Sequence, residues 1–184
     1  MTIMSYFVFV DNSNVWIEGK YASAVFQKWV NNMYEAHNAN AIDNSWRIDF
    51  GKLLNLVTDN NPADVKKAIL LGSRPPHQDS FWNIARNAGF EVEPLNRNAN
   101  NREKAIDTGI VQKLDKCLYR ESNEGDTFVL VAGDKDFIHS IRAIREENRT
   151  ARVVFWDNIS AELKAEADEF IDLSQNLQAI SYTS

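Results

Sequence analysis

Continuous apolar runs alternate with amphipathic stretches along most of the chain. Buried parallel strands have such uninterrupted apolar runs because helices cover both of their faces. The alternation therefore predicts an α/β fold, a three-layer, doubly wound and mostly parallel sheet with helices on both faces. We predict strands over Tyr6–Val10, Ala68–Leu71, Phe90–Glu93, Phe128–Ala132 and Ala151–Phe155, with an edge strand over Glu169–Leu173, and helices over Asp49–Thr58, Ser80–Ala88, Glu103–Arg120, Lys135–Glu147 and Ala161–Ala167.

The segment from Lys20 to Trp46 interrupts this alternation, since it is rich in aromatic residues and then in asparagine. We predict a helix over Ala22–Ala36 followed by a loop. We interpret residues 20–48 as a helical and loop insertion within a single domain of residues 1–184. Its aromatic side chains either pack beside the first strand or form a surface on which nucleic-acid bases stack.

The composition is that of a globular protein and argues against a membrane-spanning, disulfide-bonded or strongly basic one. The 184 residues are enough for one domain with a substantial core, and 44% hydrophobic with 25% charged residues is ordinary for a globular protein. No apolar run reaches the roughly 20 residues of a membrane span, and no signal peptide is recognisable. The single cysteine, Cys117, excludes an intrachain disulfide and fits a cytoplasmic protein. The net charge of −6 excludes a basic whole-domain footprint, so nucleic-acid binding would need a local basic patch or a metal.

Three aspartates follow two of the predicted strands. Asp11 comes directly after the first strand, and Asp134 and Asp136 follow the fourth. Ligands of open α/β sheets bind beyond the carboxyl ends of the strands, where these side chains would meet. Clustered carboxylates repel each other, so a shared pocket needs either a cation or a carboxylate with a raised pKa. Hard divalent cations with oxygen ligands supply such a cation in phosphate chemistry. The alternatives are local: Asp11 as a turn residue, Asp134 as a helix N-cap and Asp136 as an acid in the first helical turn.

Asp107 lies on the apolar stripe of a predicted helix. At about 100° per residue, the apolar positions between Ile106 and Leu118 cover an arc of about 140°, and Asp107 falls inside it. A carboxylate facing a core costs several kcal/mol unless it is paired or bound to a metal. We therefore expect Asp107 to reach the same crevice. A pairing with Lys104, one turn earlier, or with a buried hydroxyl would be the alternative.

Four further residues are candidates for holding a substrate. Asn14 could orient a ligand or a water, or simply begin a helix. Lys104 could position the carboxylate of Asp107 or contact a phosphate, although a solvated surface position explains it equally well. Arg74, after the second strand, and Lys135, between the paired aspartates, could hold a polyanion. Arg142 and Arg145 are expected on a solvated helix face. Phosphate-loop, Gly-x-Ser-x-Gly and dinucleotide-binding motifs are absent from the sequence, and its three histidines lack metal spacing.

Taken together, the motifs resemble those of the NYN domains, a branch of the PIN-like nuclease superfamily, and especially the LabA-like group. The resemblance covers nearly the whole chain. Ala132 stands where the family usually has a serine, which puts the substrate preference in question. The matching pieces are Phe9–Asn14, Lys104–Thr108, Ala132–Phe137, Ser160–Leu163 and Ala167–Leu173.

The resemblance implies a nuclease that depends on Mg²⁺ or Mn²⁺ and usually cleaves RNA. Carried over to this chain, Asp11, Asp107 and Asp134 would bind the metal, and Asp136 would bind it or support a ligand. Asn14 would orient a ligand, a water or a substrate phosphate. Many related domains pair, which makes a homodimer an expectation. The competing hypotheses are a module that binds RNA or a protein without cleaving, and a phosphatase-like or receiver-like site with Asp11 as nucleophile.

Overall fold

A six-stranded parallel sheet forms the centre of the protein. The computed structural model describes residues 3–73, 80–95 and 102–183. All five pairings between the described strands are parallel, and the strand order is β3-β2-β1-β4-β5-β6. The sheet therefore confirms the predicted doubly wound α/β class. The strands are β1 (Tyr6–Asp11), β2 (Val65–Ser73), β3 (Glu91–Leu95), β4 (Thr127–Val131), β5 (Thr150–Phe155) and β6 (Glu169–Asp172).

Helices connect the strands and cover both faces of the sheet. Most helix boundaries agree with the prediction to within one or two residues; the exceptions are the region of residues 12–38, the start of α6 and the unpredicted α8. No helix among the described residues is long and apolar enough to cross a bilayer. The helices are α1 (Asn12–Phe26), α2 (Met33–Asn38), α3 (Phe50–Val57), α4 (Ser80–Asn87), α5 (Arg102–Arg120), α6 (Ile138–Glu146), α7 (Ala161–Glu166) and α8 (Leu177–Ile180), with 3₁₀ turns at Pro62–Asp64 and Lys135–Phe137.

Two hydrophobic cores lie on opposite faces of the sheet. In β1 the side chains of Val8 and Val10 enter one core, with residues of α1, α3, α4 and α8. Phe7 and Phe9 enter the other, with residues of α5, α6 and α7. This alternation follows from the two-residue period of a strand. Because both faces are covered, β1 and β4 are buried almost throughout, which explains their uninterrupted apolar sequences.

The helix predicted over Ala22–Ala36 is wrong. The structure has α1 ending at Phe26 and α2 beginning at Met33, with turns and bends between them. Lys28 adopts a left-handed conformation with φ of 63°, which a continuing helix does not allow. Asn32 then caps α2, since its side-chain oxygen accepts a hydrogen bond from the amide of Glu35 at 2.8 Å. Asparagine favours such caps over helix interiors, which is the local reason for the break.

Candidate metal centre

The strand order reverses between β1 and β4, and the predicted acidic residues lie at the carboxyl end of these two strands. Val10 pairs with Val131 in the parallel register. Asp11 is the last residue of β1, and Asp134 follows β4 after Ala132 and Gly133. In open α/β sheets this reversal leaves a crevice between the helices that leave neighbouring strands in opposite directions. The topology thus places Asp11 and Asp134 at one opening of the sheet.

Three carboxylates form a tight group at this opening. Asp107, Asp134 and Asp136 each offer one oxygen, and these oxygens all lie within 4.8 Å of one another. Asp134 and Asp136 are exposed, whereas Asp107 is half-buried. Two unit charges at that separation repel by about 1 kcal/mol in water and by about 3 to 4 kcal/mol at an effective dielectric constant near 20. A cation placed between the three oxygens would replace this repulsion with attraction.

Asp134 also has a local role, as the capping alternative predicts. Its Oδ1 accepts a hydrogen bond from the amide of Asp136 at 2.9 Å and caps the 3₁₀ turn Lys135–Phe137. That turn precedes α6, whereas the sequence had predicted one regular helix from Lys135. A carboxylate has two oxygens and about four acceptor positions, so one capping bond leaves acceptor capacity for a cation. Capping and metal binding are therefore compatible at this residue.

Asp107 reaches the group from α5, on the other side of the opening. The neighbouring apolar positions Ile106 and Ile110 are buried, as the helical wheel predicts. α5 can approach the sheet closely because a Cβ at Gly109 would lie only 2.6 Å from Leu71 Cδ2. Leu71 is the partner of Asp11 in the β1–β2 register. The missing side chain at Gly109 thus lets the start of α5 lie near the ends of the strands.

Asp11 is not part of the three-carboxylate group found among the described residues. It is buried, with 2% of its surface exposed, and it caps α1. Its Oδ2 accepts a hydrogen bond from Asn14 Nδ2 at 2.9 Å. The alternation in β1 puts Asp11 on the same face as Phe7 and Phe9, which is the face covered by α5. The structure therefore brings three of the four predicted acids together and fixes the fourth with Asn14 at the end of the adjacent strand.

The loop between β4 and Asp134 passes close to the ring of Phe155, which it can do because residue 133 is a glycine. A Cβ built on Gly133 would lie 2.2 Å from Cδ2 and 2.3 Å from Cε2 of Phe155. The ring of Phe155, at the end of β5, thus fills the space that any other side chain would need. The carbonyl of Gly133 accepts a hydrogen bond from the amide of Ser160 at 3.1 Å, which ties the loop to the cap of α7.

Lys135 is the one basic residue among the predicted site residues whose side chain the structure describes. Lys135 is exposed and lines a surface cavity beside the carboxylates. Lys104 lies on α5, but its side chain is outside the described part of the structure, as is the whole of Arg74. His139, Arg142 and Glu162 line the same cavity and were not predicted as site residues. The sequence carried a usable signal for the first two, because residues 135, 139 and 142 share one face at helical spacing.

Comparison with known proteins bears on the family and the fold of the chain. The model of the NYN domain matches residues 7–174. The chain belongs to the NYN family. NYN domains are part of the PIN-like nuclease superfamily, so the resemblance found in the motifs is confirmed. The crystal structure of a protein of unknown function from Vibrio parahaemolyticus has a similar fold, with a TM-score of 0.66 and 22% identity over 97% of this chain and 96% of that chain. None of the curated proteins matches the chain.

Proposed function

We propose that this NYN domain is a metal-dependent endoribonuclease that hydrolyses phosphodiester bonds. The observation that carries the proposal is the group formed by Asp107, Asp134 and Asp136, with oxygens within 4.8 Å of one another at the reversal of strand order. Membership of a nuclease family supports hydrolysis of nucleic acid. RNA as the substrate rests on the usual preference of the related domains.

The donor set fits Mg²⁺ or Mn²⁺. All three side chains are carboxylates, and oxygen ligands suit these hard cations, whereas the group has no thiolate or imidazole ligand. Asp107, Asp134 and Asp136 would hold the ion, and Asp11 would contribute from the end of β1. When bound, such a cation polarises a phosphate oxygen and lowers the pKa of a bound water.

Groups of the protein itself would position the metal ligands and the substrate. α5 and the loop after β4 hold the three carboxylates from two sides of the opening. The amide of Asn14 orients the carboxylate of Asp11 at 2.9 Å. Lys135 lies between Asp134 and Asp136 in sequence, is exposed, and would offset charge on the substrate. Because two of the three acids are exposed, the site is accessible to an internal segment of a polymer, which favours endonucleolytic cleavage.

The test is cleavage of labelled linear and circular single-stranded RNA by wild-type protein, D107N and D134N across a Mn²⁺ and Mg²⁺ titration. We expect metal-dependent cleavage that a chelator abolishes and a loss of at least about 100-fold in each variant, since each removes a ligand of the reacting group. Cleavage of the circle would establish endonucleolytic action. A matched DNA oligonucleotide tests the preference for RNA.

Asp115→Asn is the matched control, because Asp115 is on the same helix as Asp107 but about 12 Å farther along its axis. It should cleave like the wild type. Full activity of D107N or D134N under saturating metal would overturn the assignment of these residues.

The competing hypothesis, a module that binds RNA or protein without cleavage, has one observation in its favour. Phe26, Trp29 and Tyr34 are exposed around the connection between α1 and α2, with 47%, 59% and 77% of their surfaces accessible. Exposed aromatic rings can stack with bases. RNA binding that survives chelation, combined with no cleavage under any divalent metal, would support this second function.

A further inference from the structure

A surface cavity adjoins the three-carboxylate group along the first turns of α6. Its volume is about 420 Å³, and Asp136 belongs both to its lining and to the carboxylate group. A substrate whose reacting phosphate lies at the carboxylates would therefore extend one of its neighbouring nucleotides into this cavity. The lining residues are Lys135, Asp136, Ile138, His139, Arg142 and Glu162.

The lining combines cationic, apolar and acidic groups. Lys135, in the 3₁₀ turn, and Arg142, in the second turn of α6, supply positive charge. Ile138, half-buried between them, supplies an apolar contact. Glu162, in the first turn of α7, is an acceptor on the opposite wall. A free inorganic anion would meet Glu162 unfavourably, whereas a nucleotide also carries hydroxyl and amino donors that a carboxylate accepts.

Arg142 is held in position but is still able to bind a ligand. Its Nη2 donates to Glu166 Oε1 at 2.8 Å, and about half of its side chain is exposed. A guanidinium has five N–H donors, so one such bond leaves several for a phosphate. Arg145, one turn farther, instead donates to Asp168 and to the carbonyl of Glu166, and it does not line the cavity.

We propose that this cavity is the subsite for the nucleotide next to the cleaved bond, with Arg142 and Lys135 binding its phosphate and Glu162 accepting from its sugar or base. This inference rests on the proposed nuclease function, because that function places the reacting phosphate at the carboxylates. It goes beyond it by naming the residues that position the strand and by assigning a role to Arg142, which the sequence suggested was only solvated.

The experiment measures binding and cleavage separately. Binding of a short fluorescent single-stranded RNA is measured in a D134N background, at several salt concentrations, for R142A, R145A and E166Q. R142A should weaken binding roughly three- to tenfold and reduce the salt dependence by about one phosphate contact. R145A should bind like the parent. E166Q removes the same ion pair as R142A but keeps the guanidinium, so unchanged or tighter binding would show that the loss in R142A is not structural.

In cleavage assays with otherwise wild-type protein, R142A should raise KM and leave kcat unchanged. If R142A binds RNA like R145A, the subsite is wrong even when the protein is an active nuclease. If R142A and E166Q lose binding equally, the ion pair is only structural and the subsite is likewise overturned. If no divalent metal yields cleavage but the R142A defect in binding persists, the proposed function falls and the cavity remains supported as an RNA-binding site.

Discussion

Replacing Gly133 with alanine tests whether the loop before Asp134 depends on the absence of a side chain. The new Cβ would lie 2.2, 2.3 and 2.8 Å from three atoms of the Phe155 ring. Normal contact between carbon atoms begins near 3.5 Å, so the ring or the loop must move by more than 1 Å. The ring is 5% exposed and packed in the core, which limits how far it can move. We expect a loss of about 1 to 3 kcal/mol of stability, typical of overpacking.

The same displacement should affect the site, because Gly133 directly precedes Asp134. A misplacement of about 1 Å in a catalytic arrangement can cost on the order of 100-fold in rate. We therefore expect G133A to lose both stability in urea denaturation and metal-dependent cleavage. Gly51→Ala is the control, since its nearest neighbour would be Asp49 Oδ1 at an ordinary 3.4 Å. Within helix α3 that change should be neutral or stabilising by up to about 1 kcal/mol.

A double-mutant cycle with Phe155→Ala isolates the clash. Truncating the ring alone should cost about 3 to 5 kcal/mol through the cavity it leaves. In the double variant the added methyl group no longer meets the ring, so the combined loss should be smaller than the sum by about 1 kcal/mol or more. Additive losses, or a G133A protein with unchanged stability and activity, would refute the steric explanation.

Two further predictions concern buried carboxylates outside the three-carboxylate group. Asn14→Ala removes the 2.9 Å hydrogen bond to Asp11, so we expect a lower kcat with little change in melting temperature; an unchanged kcat would contradict an orienting role. At Asp43, burial alone would raise the pKa, but hydrogen bonds from Ser23 and Ser45 outweigh it and lower the pKa below its ordinary value. Asp43 thus stabilises the fold above its ordinary pKa, and this contribution disappears as the pH falls through the lowered pKa. Asp43→Asn should cost about 1 to 3 kcal/mol in urea denaturation at neutral pH, with a smaller difference from wild type in acid.

Local sequence patterns predict the elements of this fold well because most of them depend on burial. β1 and β4 are covered on both faces, so their sequences are uninterrupted apolar runs that no amphipathic helix would have. The place of Asp107 in the acidic group could also be predicted from the sequence, since a carboxylate among the buried residues of α5 needs a polar partner or a metal. The break between α1 and α2 was missed because it depends on a left-handed Lys28 and on a cap at Asn32, which hydrophobic periodicity does not register.

The features that could not be predicted from the sequence depend on contacts between distant parts of the chain. The order of strands decides that β1 lies beside β4, and no local pattern contains it. Asp11 was predicted as an equal member of the acidic group, yet the structure gives it a buried position with Asn14 beside the group. The cavity along α6 depends on Glu162 approaching from α7, and only tertiary packing brings the two helices together.

The capping bonds explain how this acidic opening can fold before any cation binds. Asp11 and Asp134 each precede a helical segment and accept a hydrogen bond from a backbone amide, so the partial positive charge of a helix start stabilises each carboxylate. The capping role of these residues is therefore compatible with the metal-binding role that we propose for them. Asparagine caps a helix about as well as aspartate, so Asp134→Asn should retain the fold while removing the charge that a cation needs. Alanine would remove both functions, and its effect on activity could not be separated from its effect on the loop.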